Sequence, residues 1–189
     1  MKYNPVSISC TFSANGGSKD TTLNVLKIIK SYNVKTISHF ACANRSIEDV
    51  KNYFDELVNL NINNVLILQG DKPTATDPFK YASDLMHYIN NKYNGFFIFQ
   101  GAFYPEKHNE NKTCDYDIEI KRTILNKYNA GCRTFISQSI FDVDIYFDSI
   151  SQIKKQFNDI TLLPGILPIT RHAMVERAIT LCGCTIKQE

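Results

Sequence analysis

The chain has 189 residues, of which 43% are hydrophobic and 21% are charged, and its formal net charge is +2. This composition is typical of a globular protein, and the length is enough for one domain, residues 1–189, with a substantial core. The small net charge excludes a strongly basic or acidic surface of the kind that binds nucleic acid or membranes. No apolar run is long enough to cross a bilayer.

Six cysteines raise the question of disulfides or a metal site. Met1 leads directly into a short strand-like run with no secretory leader, so we expect a cytoplasmic location, where thiols stay reduced. Cys182 and Cys184 lack the spacing of zinc ligands and have no histidine cluster nearby. We therefore expect no metal site.

Short apolar runs alternate with longer amphipathic segments along the chain. The runs are too short for helices, and most carry β-branched or aromatic residues, which predicts strands at residues 6–10, 36–40, 65–68, 96–99, 134–137 and 160–163. The longer segments have a helical spacing of apolar residues, which predicts helices at residues 21–32, 47–60, 82–92, 116–130, 143–157 and 170–181. Asp20 precedes the first helix, and Ser46 is a suitable N-cap for the second.

This order amounts to six βα units whose strands start about 30 residues apart, as in parallel sheets with right-handed crossovers. The strands are apolar on both faces, which fits either a barrel or an open doubly wound sheet. A closed (β/α)8 barrel usually takes about 250 residues. If the fold is a barrel, two of its strands are therefore missing.

Polar side chains follow most of the predicted strands, at the ends where α/β proteins bind ligands. Asp71, preceded by Gly70, either belongs to such a site or caps the turn before Pro73. Spacing alone supports these two interpretations equally. His39 lies near the end of a strand, where a single histidine is more often a structural residue than a catalyst.

A second candidate site lies on the fourth predicted helix. Thr123, Asn126 and Lys127 are spaced i, i+3 and i+4, which places them on one face of an α-helix. One positive charge and two neutral hydrogen-bonding groups suit a phosphate-bearing ligand, although a solvated helix face has the same composition. The spacing leaves both interpretations open.

Seven segments occur along the chain in the order SANGGSKDTT, SHFACANRS, VLILQGDKP, YASDLM, YPEKHNE, FISQSIFD and LLPGILPIT. Together they resemble the methylenetetrahydrofolate reductase family. No single segment is decisive, but seven in the correct order are highly specific. The resemblance extends over residues 6–186 and implies a flavin-binding (β/α)8 barrel of the TIM type, incomplete here, with about six βα units that match strands two to seven.

The resemblance implies an oxidoreductase that binds FAD, accepts hydride from NADH or NADPH, and reduces 5,10-methylenetetrahydrofolate to 5-methyltetrahydrofolate. Asp71 matches an aspartate near both flavin and folate, and its negative charge would stabilise the cationic iminium form of the substrate. Gln138 matches a glutamine that hydrogen-bonds the pterin ring. The positions that match flavin-binding residues of the family are Thr11, Phe12, Ala14, His39, Gln69, Gly70, Asp71, Ala82, Tyr104, His108, Thr123, Asn126 and Lys127.

The chain departs from the family pattern at several positions. It begins after the first-strand segment that carries the family's general-acid glutamate, so we expect no residue here to take that role. Gln69 replaces the arginine of the turn, and Met174 replaces a substrate-binding glutamine. An alternative interpretation is therefore a degenerate module that binds FAD or folate without turnover, or a non-catalytic fragment. The missing strands would leave unpaired sheet edges. We therefore expect the chain to form a homo-oligomer, to pair with a separately encoded piece, or to be a shortened form that folds poorly.

Overall fold

A computed structural model describes residues 3–12, 19–71, 73–108, 115–180 and 182–186 of the chain. Ala14, which the resemblance assigns to the flavin, lies outside the described residues. The chain divides into two compact units, residues 1–100 and 101–189. Within the described part of the chain, no helix has the length and apolar character needed to cross a membrane.

The first unit alternates strands and helices. Its elements are β1 (Ser7–Cys10), α1 (Lys19–Ser31), β2 (Lys35–Ala41), α2 (Ile47–Asn59), β3 (Asn64–Leu68), α3 (Ala82–Lys92) and β4 (Ile98–Phe103), whose last three residues belong to the second unit. The strands of this unit pair in parallel and in chain order, β1 with β2, β2 with β3, and β3 with β4.

One face of this sheet packs on helices. The ring centroid of Phe40 in β2 lies 5.1 Å from that of Tyr53 and 5.3 Å from that of Phe54, both in α2. Ser38 Oγ lies 2.7 Å from Tyr53 Oη. Because side chains alternate along a strand, His39 lies on the face opposite to Ser38 and Phe40.

The second unit continues the same alternation. Its further elements are α4 (Tyr116–Ile120), a π-helical turn (Lys121–Leu125), α5 (Asn126–Asn129), β5 (Thr134–Ser139), α6 (Val143–Gln156), β6 (Thr161–Gly165) and α7 (His172–Thr180). β5 and β6 pair in parallel, with a register shift between Ile136 and Ser139. The repeated βα order and the parallel pairing confirm the predicted fold class, an incomplete (β/α)8 barrel type with about six βα units.

Two local predictions are confirmed in the first unit. α3 spans Ala82–Lys92, with the predicted bounds. Ser46 caps α2 through a capping box, in which Asp49 N donates to Ser46 Oγ at 3.1 Å and Ser46 N donates to Asp49 Oδ2 at 3.0 Å. The start of α2 is therefore fixed by the sequence signal that predicted it.

The fourth strand lies further along the chain than predicted. β4 spans Ile98–Phe103, because the backbone at Phe96 still belongs to the turn after α3, where Phe96 N donates to Tyr93 O at 3.0 Å. Gln100, which directly follows the predicted strand 96–99, is consequently a residue within β4. Its side chain therefore has a defined face of the sheet.

Two predicted helices also differ from the structure. α1 begins at Lys19, so Asp20 lies in its first turn and does not precede it. The helix predicted over residues 116–130 is interrupted by the π-helical turn Lys121–Leu125. π-helical turns widen a helix locally and are frequent at functional sites.

Candidate functional site

The turn that follows β3 requires glycine at its centre. Gly70 has φ +89°, a left-handed conformation that residues with a side chain rarely adopt. A Cβ on Gly70 would lie 3.0 Å from Ala41 Cβ and 3.2 Å from Ala43 Cβ. The turn therefore packs closely on the end of β2, and Asp71 follows it as an exposed residue at the C-terminal end of β3.

Hydrogen bonds hold this turn against the loop that follows β2. Cys42 N donates to Leu68 O at 3.1 Å, and Ala43 N donates to Gln69 O at 2.8 Å. The Cys42 thiol also donates to Gln69 O, at 3.3 Å. Burial raises the pKa of this thiol to about 11, so Cys42 has a structural role and is not a nucleophile.

Asp77 ties the end of the same turn to the loop after β2. Its carboxylate accepts hydrogen bonds from Thr74 Oγ1 at 2.7 Å, from Thr74 N at 2.9 Å and from Asn44 N at 3.1 Å. These donors, above all the Thr74 hydroxyl, lower the pKa of the Asp77 carboxyl group. Sequence reasoning missed Asp77, although its spacing from Thr74 is a common signal for such a local bond.

Three neighbouring strands place His39, Leu66 and Gln100 in one row, on the face of the sheet opposite to Phe40. His39 is the register partner of Leu66, and Leu66 is the register partner of Gln100. Burial lowers the pKa of His39, so its imidazole is neutral near pH 7. Gln100 is 6% exposed, and its Oε1 accepts no hydrogen bond within the described part of the chain. Sequence reasoning placed Gln100 among the residues at the strand ends but gave it no role of its own.

The other predicted residues of the first unit differ in exposure. Thr11 is exposed directly after β1. The ring centroid of Phe12 lies 4.8 Å from those of Phe40 and Tyr53, so its side chain is part of the aromatic core. Ala82 is 4% exposed at the start of α3. Contact of Thr11, Phe12 or Ala82 with a cofactor stays a prediction.

In the second unit, Lys127 of α5 lies against the end of β4. Its Nζ donates to Ala102 O at 2.7 Å, and a Cβ on Gly101 would lie 2.9 Å from Lys127 Cδ. Burial lowers the pKa of the Lys127 ammonium to about 8, while the nearby Cys132 and Glu119 act in the opposite direction. The Lys127 ammonium has three N–H groups, and the Ala102 carbonyl already accepts a hydrogen bond from one of them. Two N–H groups are left for the phosphate that the sequence analysis assigned to Lys127.

Thr123 and Asn126 do not present one common surface. Thr123 is 8% exposed, and its hydroxyl donates to Glu119 O at 2.8 Å, whereas Asn126 is exposed. The spacing rule that predicted a shared face holds for a regular α-helix, and the π-helical turn Lys121–Leu125 interrupts that helix. Cofactor binding by these two residues stays a prediction.

Tyr104 and His108, both assigned to FAD by the resemblance, lie next to each other. Their rings are 4.7 Å apart between centroids, in an edge-to-face arrangement. His108 N donates to Glu119 Oε1 at 3.1 Å, and Glu119 is 1% exposed. Glu119 therefore joins the segment that carries Tyr104 and His108 to the helix that carries Thr123. Sequence reasoning missed it, although Glu119 and Thr123 have the i, i+4 spacing of a helix face.

Gln138 and Tyr104 line one cleft in the second unit. Gln138 lies near the end of β5, and its Oε1 accepts a hydrogen bond from Ser139 N at 2.9 Å. This local bond occupies the side-chain carbonyl of Gln138, so its side-chain N–H groups are the ones available to bind a ligand. The structure thus brings together two predicted site residues of this unit.

The segment after α7 forms another wall of this cleft. Cys184 Sγ donates to Ser139 O at 3.1 Å, and Thr185 N donates to both carboxylate oxygens of Glu106 at 2.9 Å. Cys182 and Gly183 also line the cleft. Among the described residues, no three histidine, cysteine or acidic side chains are grouped so that they could hold a metal ion.

Solved structures share this fold at low sequence identity. An uncharacterized protein from Clostridium thermocellum, which binds two copies of 5-methyl-5,6,7,8-tetrahydrofolic acid, matches with a TM-score of 0.61 and 15% identity, over 96% of this chain and 72% of that chain. Oxaloacetate acetylhydrolase in complex with oxalate matches with a TM-score of 0.62 and 10% identity, over 94% of this chain and 66% of that chain. At these identities the likeness concerns the fold alone.

Curated relatives are similar in sequence. Methylenetetrahydrofolate reductase 2 of Saccharomyces cerevisiae is 31% identical in an alignment of 183 positions, which covers 89% of this chain and 30% of the yeast protein. The 5,10-methylenetetrahydrofolate reductase of Pectobacterium carotovorum is 29% identical over 184 residues, 96% of this chain and 60% of that protein. The chain thus spans only part of these relatives. A family model described as methylenetetrahydrofolate reductase matches residues 1–189, and the chain belongs to the methylenetetrahydrofolate reductase family.

Proposed function

We propose that the chain binds FAD and uses NADH or NADPH to reduce 5,10-methylenetetrahydrofolate to 5-methyltetrahydrofolate. The observation that carries this proposal is the turn after β3 in a member of this family. Gly70 has φ +89° there, and Asp71 is exposed at the end of the strand. Ligands of α/β proteins bind at such strand ends.

The residues of the first unit fit a flavin. Gly70, with φ +89°, turns the backbone sharply after β3 and so leaves Asp71 exposed at the strand end, where a flat ring can bind. His39 supplies a neutral imidazole, and Gln100 supplies a buried carbonyl that accepts no hydrogen bond from the described residues. The His39 imidazole and the Gln100 carbonyl together can donate and accept hydrogen bonds, which suits the flavin ring because it carries both donors and acceptors. When bound, FAD supplies the hydride-transfer chemistry, while the protein orients it and tunes its surroundings.

Asp71 is the residue that we assign to the reaction itself. Its carboxylate is exposed at the end of β3, where it can approach a bound folate. A negative charge at this position stabilises the cationic iminium form of methylenetetrahydrofolate, the form that accepts hydride. Gln69, next to Gly70, is neutral, so the charge of Asp71 has no cationic neighbour at the position of the family's arginine.

In the second unit, Tyr104, His108 and Lys127 are assigned to FAD together with Thr123 and Asn126. The Lys127 ammonium has N–H groups beyond the one that Ala102 O accepts, and these suit a diphosphate. Tyr104 and His108 offer an aromatic pair with polar edges.

Gln138 is assigned to the pterin ring of the folate. Its side-chain carbonyl accepts from Ser139 N, so we expect its amide N–H groups to donate to the pterin.

Three further expectations belong to this proposal. We propose that residues 1–189 work as one domain and that the protein is cytoplasmic. We also propose that it forms homo-oligomers, because β1 and β6 are the terminal strands in the strand order and unpaired strand edges invite association. Its place in metabolism would then be one-carbon metabolism, in the supply of methyl groups for methionine biosynthesis.

A second candidate is a binding module that holds FAD or folate without turnover. Two positions favour it, because Gln69 and Met174 stand where the family pattern has a charged and a hydrogen-bonding residue. In α7, the Met174 thioether accepts a hydrogen bond from Thr170 Oγ1 at 3.4 Å, a weak contact compared with that of an amide. The two candidates differ in whether hydride leaves the flavin.

The visible spectrum of the purified protein tests the proposal. We expect a bound flavin, either copurified or taken up from added FAD, that loses its colour when NADH or NADPH is added without oxygen. Addition of methylenetetrahydrofolate should then restore the colour. Colour loss without recovery supports the binding module, and a protein that stays colourless with excess FAD contradicts both candidates.

A further inference from the structure

We propose that Gln100 is a ligand-binding residue whose side-chain carbonyl, Oε1, accepts a hydrogen bond from a ring N–H group. The ligand class is a fused heteroaromatic ring with a lactam or imide N–H, a feature that flavins and pterins share. This inference rests on the proposed function, because it adds a residue to the same site. Gln100 is not among the positions that the family resemblance assigns.

The burial of Gln100 is the first observation behind this inference. The residue is 6% exposed, and Oε1 is shielded from solvent without accepting a hydrogen bond from any described residue. Folded proteins pair about 90% or more of their buried polar groups, and a buried carbonyl left unpaired destabilises the folded state. Such an acceptor points to a donor that the described residues do not supply.

The position of Gln100 in the sheet is the second observation. Leu66 is the register partner of both His39 and Gln100, so the three side chains form one row across β2, β3 and β4. Two strand spacings, about 10 Å, separate the outer backbones of the row, and one fused ring system is long enough to reach both. The next row along β2 and β3 pairs Ala41 with Leu68, directly before the Gly70 turn.

Asn64 provides a matched comparison on the same face. It is 7% exposed, and its Oδ1 likewise accepts no hydrogen bond within the described part of the chain. Asn64 pairs with Ile98, one row closer to the N-terminal ends of the strands. Because α/β proteins bind ligands at the C-terminal ends, we expect Gln100 and not Asn64 to contact a ligand.

The test replaces Gln100 by methionine, which has a similar length and shape but no carbonyl. In the ligand-free protein, Gln100→Met should leave the melting temperature unchanged or raise it by about 2–6 °C, because an unpaired buried acceptor is removed. The dissociation constant for FAD or for 5-methyltetrahydrofolate should rise about 5- to 10-fold. Asn64→Leu should leave both dissociation constants within about twofold.

The two ligands distinguish the source of the N–H group. A weaker affinity for FAD alone assigns the bond to the flavin, whose oxidised ring carries a single N–H at N3. In that case the wild type should prefer FAD over 3-methyl-FAD, and Gln100→Met should reduce this preference. A weaker affinity for 5-methyltetrahydrofolate alone assigns the bond to the pterin.

Several results would overturn the inference. Unchanged affinity of Gln100→Met for both ligands, with a wild type that binds FAD, rejects it and leaves the proposed function intact. A melting temperature several degrees lower, or loss of folding in both Gln100→Met and Gln100→Leu, shows that the carbonyl is already paired in the free protein, for example with an ordered water. A wild type that binds neither ligand rejects the proposed function and this inference together.

Discussion

Lys127 Nζ donates a hydrogen bond to the carbonyl oxygen of Ala102 at 2.7 Å, joining α5 to the end of β4. The ammonium that makes this bond is buried, and burial lowers its pKa to about 8. The charge that the proposed function assigns to the diphosphate of FAD therefore also has a structural role. Stability and ligand affinity measure these two roles separately.

The structural role predicts a pH dependence of stability. In the unfolded chain the Lys127 ammonium titrates near pH 10.4, and in the folded chain near pH 8. Between these values the unfolded state binds more protons, so this group's contribution to the free energy of unfolding rises with pH and is lost as pH falls through about 8. Over this pH range, the free energy of unfolding of the wild type should rise by up to about 2–3 kcal/mol relative to that of Lys127→Met.

Urea unfolding of both proteins at several pH values across this window measures the difference. Tyrosines and cysteines also titrate there, and because both proteins contain them, their contributions largely cancel in the comparison. A difference that is constant with pH would contradict the lowered pKa of Lys127.

The ligand-binding role predicts a loss of FAD affinity in the same variant. Charge-assisted hydrogen bonds contribute about 1.5–3 kcal/mol, so Lys127→Met should raise the dissociation constant for FAD about 10- to 100-fold. Riboflavin, which has the flavin ring but no phosphate, is the matched control and should bind the two proteins equally well. Equal affinity for FAD would limit Lys127 to its bond with Ala102.

The turn after β3 should tolerate no side chain at Gly70. Gly70→Ala combines a positive φ with a Cβ 3.0 Å from Ala41 Cβ. Gly95 has φ +75° and nothing within 4 Å of an added Cβ, so Gly95→Ala isolates the cost of the backbone conformation. We expect Gly70→Ala to lower the free energy of unfolding by about 2–4 kcal/mol and Gly95→Ala by about 1–2 kcal/mol.

Thermal or urea denaturation checks this difference. The expected difference arises because a Cβ added to Gly70 would contact Ala41 and Ala43 closely, whereas a Cβ added to Gly95 would contact no described residue. If both variants lose the same stability, the turn does not pack on the end of β2 as described.

His39 should make the protein less stable in mild acid. Its pKa is lowered by burial, so below its ordinary value near 6.5 the unfolded state binds more protons than the folded state. The contribution of His39 is therefore present above about pH 6.5 and is lost as pH falls through its folded pKa. His39→Gln removes this contribution, and its melting temperature should decline less steeply than that of the wild type between about pH 7 and pH 5.

The end of β3 could be predicted because its signals are local. The apolar run of β3 stops at Gln69, and the order glycine then aspartate is typical of a turn that carries a polar group. The capping box of α2 was predictable for the same reason, since Ser46 and Asp49 are three residues apart. Both features depend on chemistry within a few residues of chain.

The face of Gln100 could not be predicted from the sequence. Residues 96–99 are a continuous run of apolar side chains, and such a run gives no alternation from which the two faces of a strand can be assigned. Only the pairing of Gln100 with Leu66 in β3 defines the row in which it lies. Register is a tertiary property, and this is why a buried amide of the candidate site was missed.

The π-helical turn Lys121–Leu125 was not predictable either. Its residues are compatible with an ordinary α-helix, and the sequence has no glycine or proline there to indicate a change. The shared face predicted for Thr123 and Asn126 assumed regular helical spacing, which this turn interrupts, and in the structure Thr123 is buried whereas Asn126 is exposed. The buried contacts of Thr123 and Glu119 are likewise known only from the structure.

Asp71 allows a direct test of the chemistry. Asp71→Asn keeps the size of the side chain and one acceptor oxygen but removes the charge proposed to stabilise the cationic substrate. We expect FAD affinity to change less than about threefold, because Asn still forms neutral hydrogen bonds. Oxidation of the reduced flavin by methylenetetrahydrofolate should slow by about 100-fold or more. Equal losses of affinity and rate would reject the catalytic role of Asp71.

The central claim is that hydride passes through a flavin held by this chain to a folate. Stopped-flow spectroscopy of the photoreduced, FAD-loaded protein, mixed with methylenetetrahydrofolate without oxygen, measures this step directly. We predict that the absorbance of oxidised flavin returns in a single turnover and that 5-methyltetrahydrofolate forms in equal amount. A flavin that stays reduced in excess methylenetetrahydrofolate would contradict it.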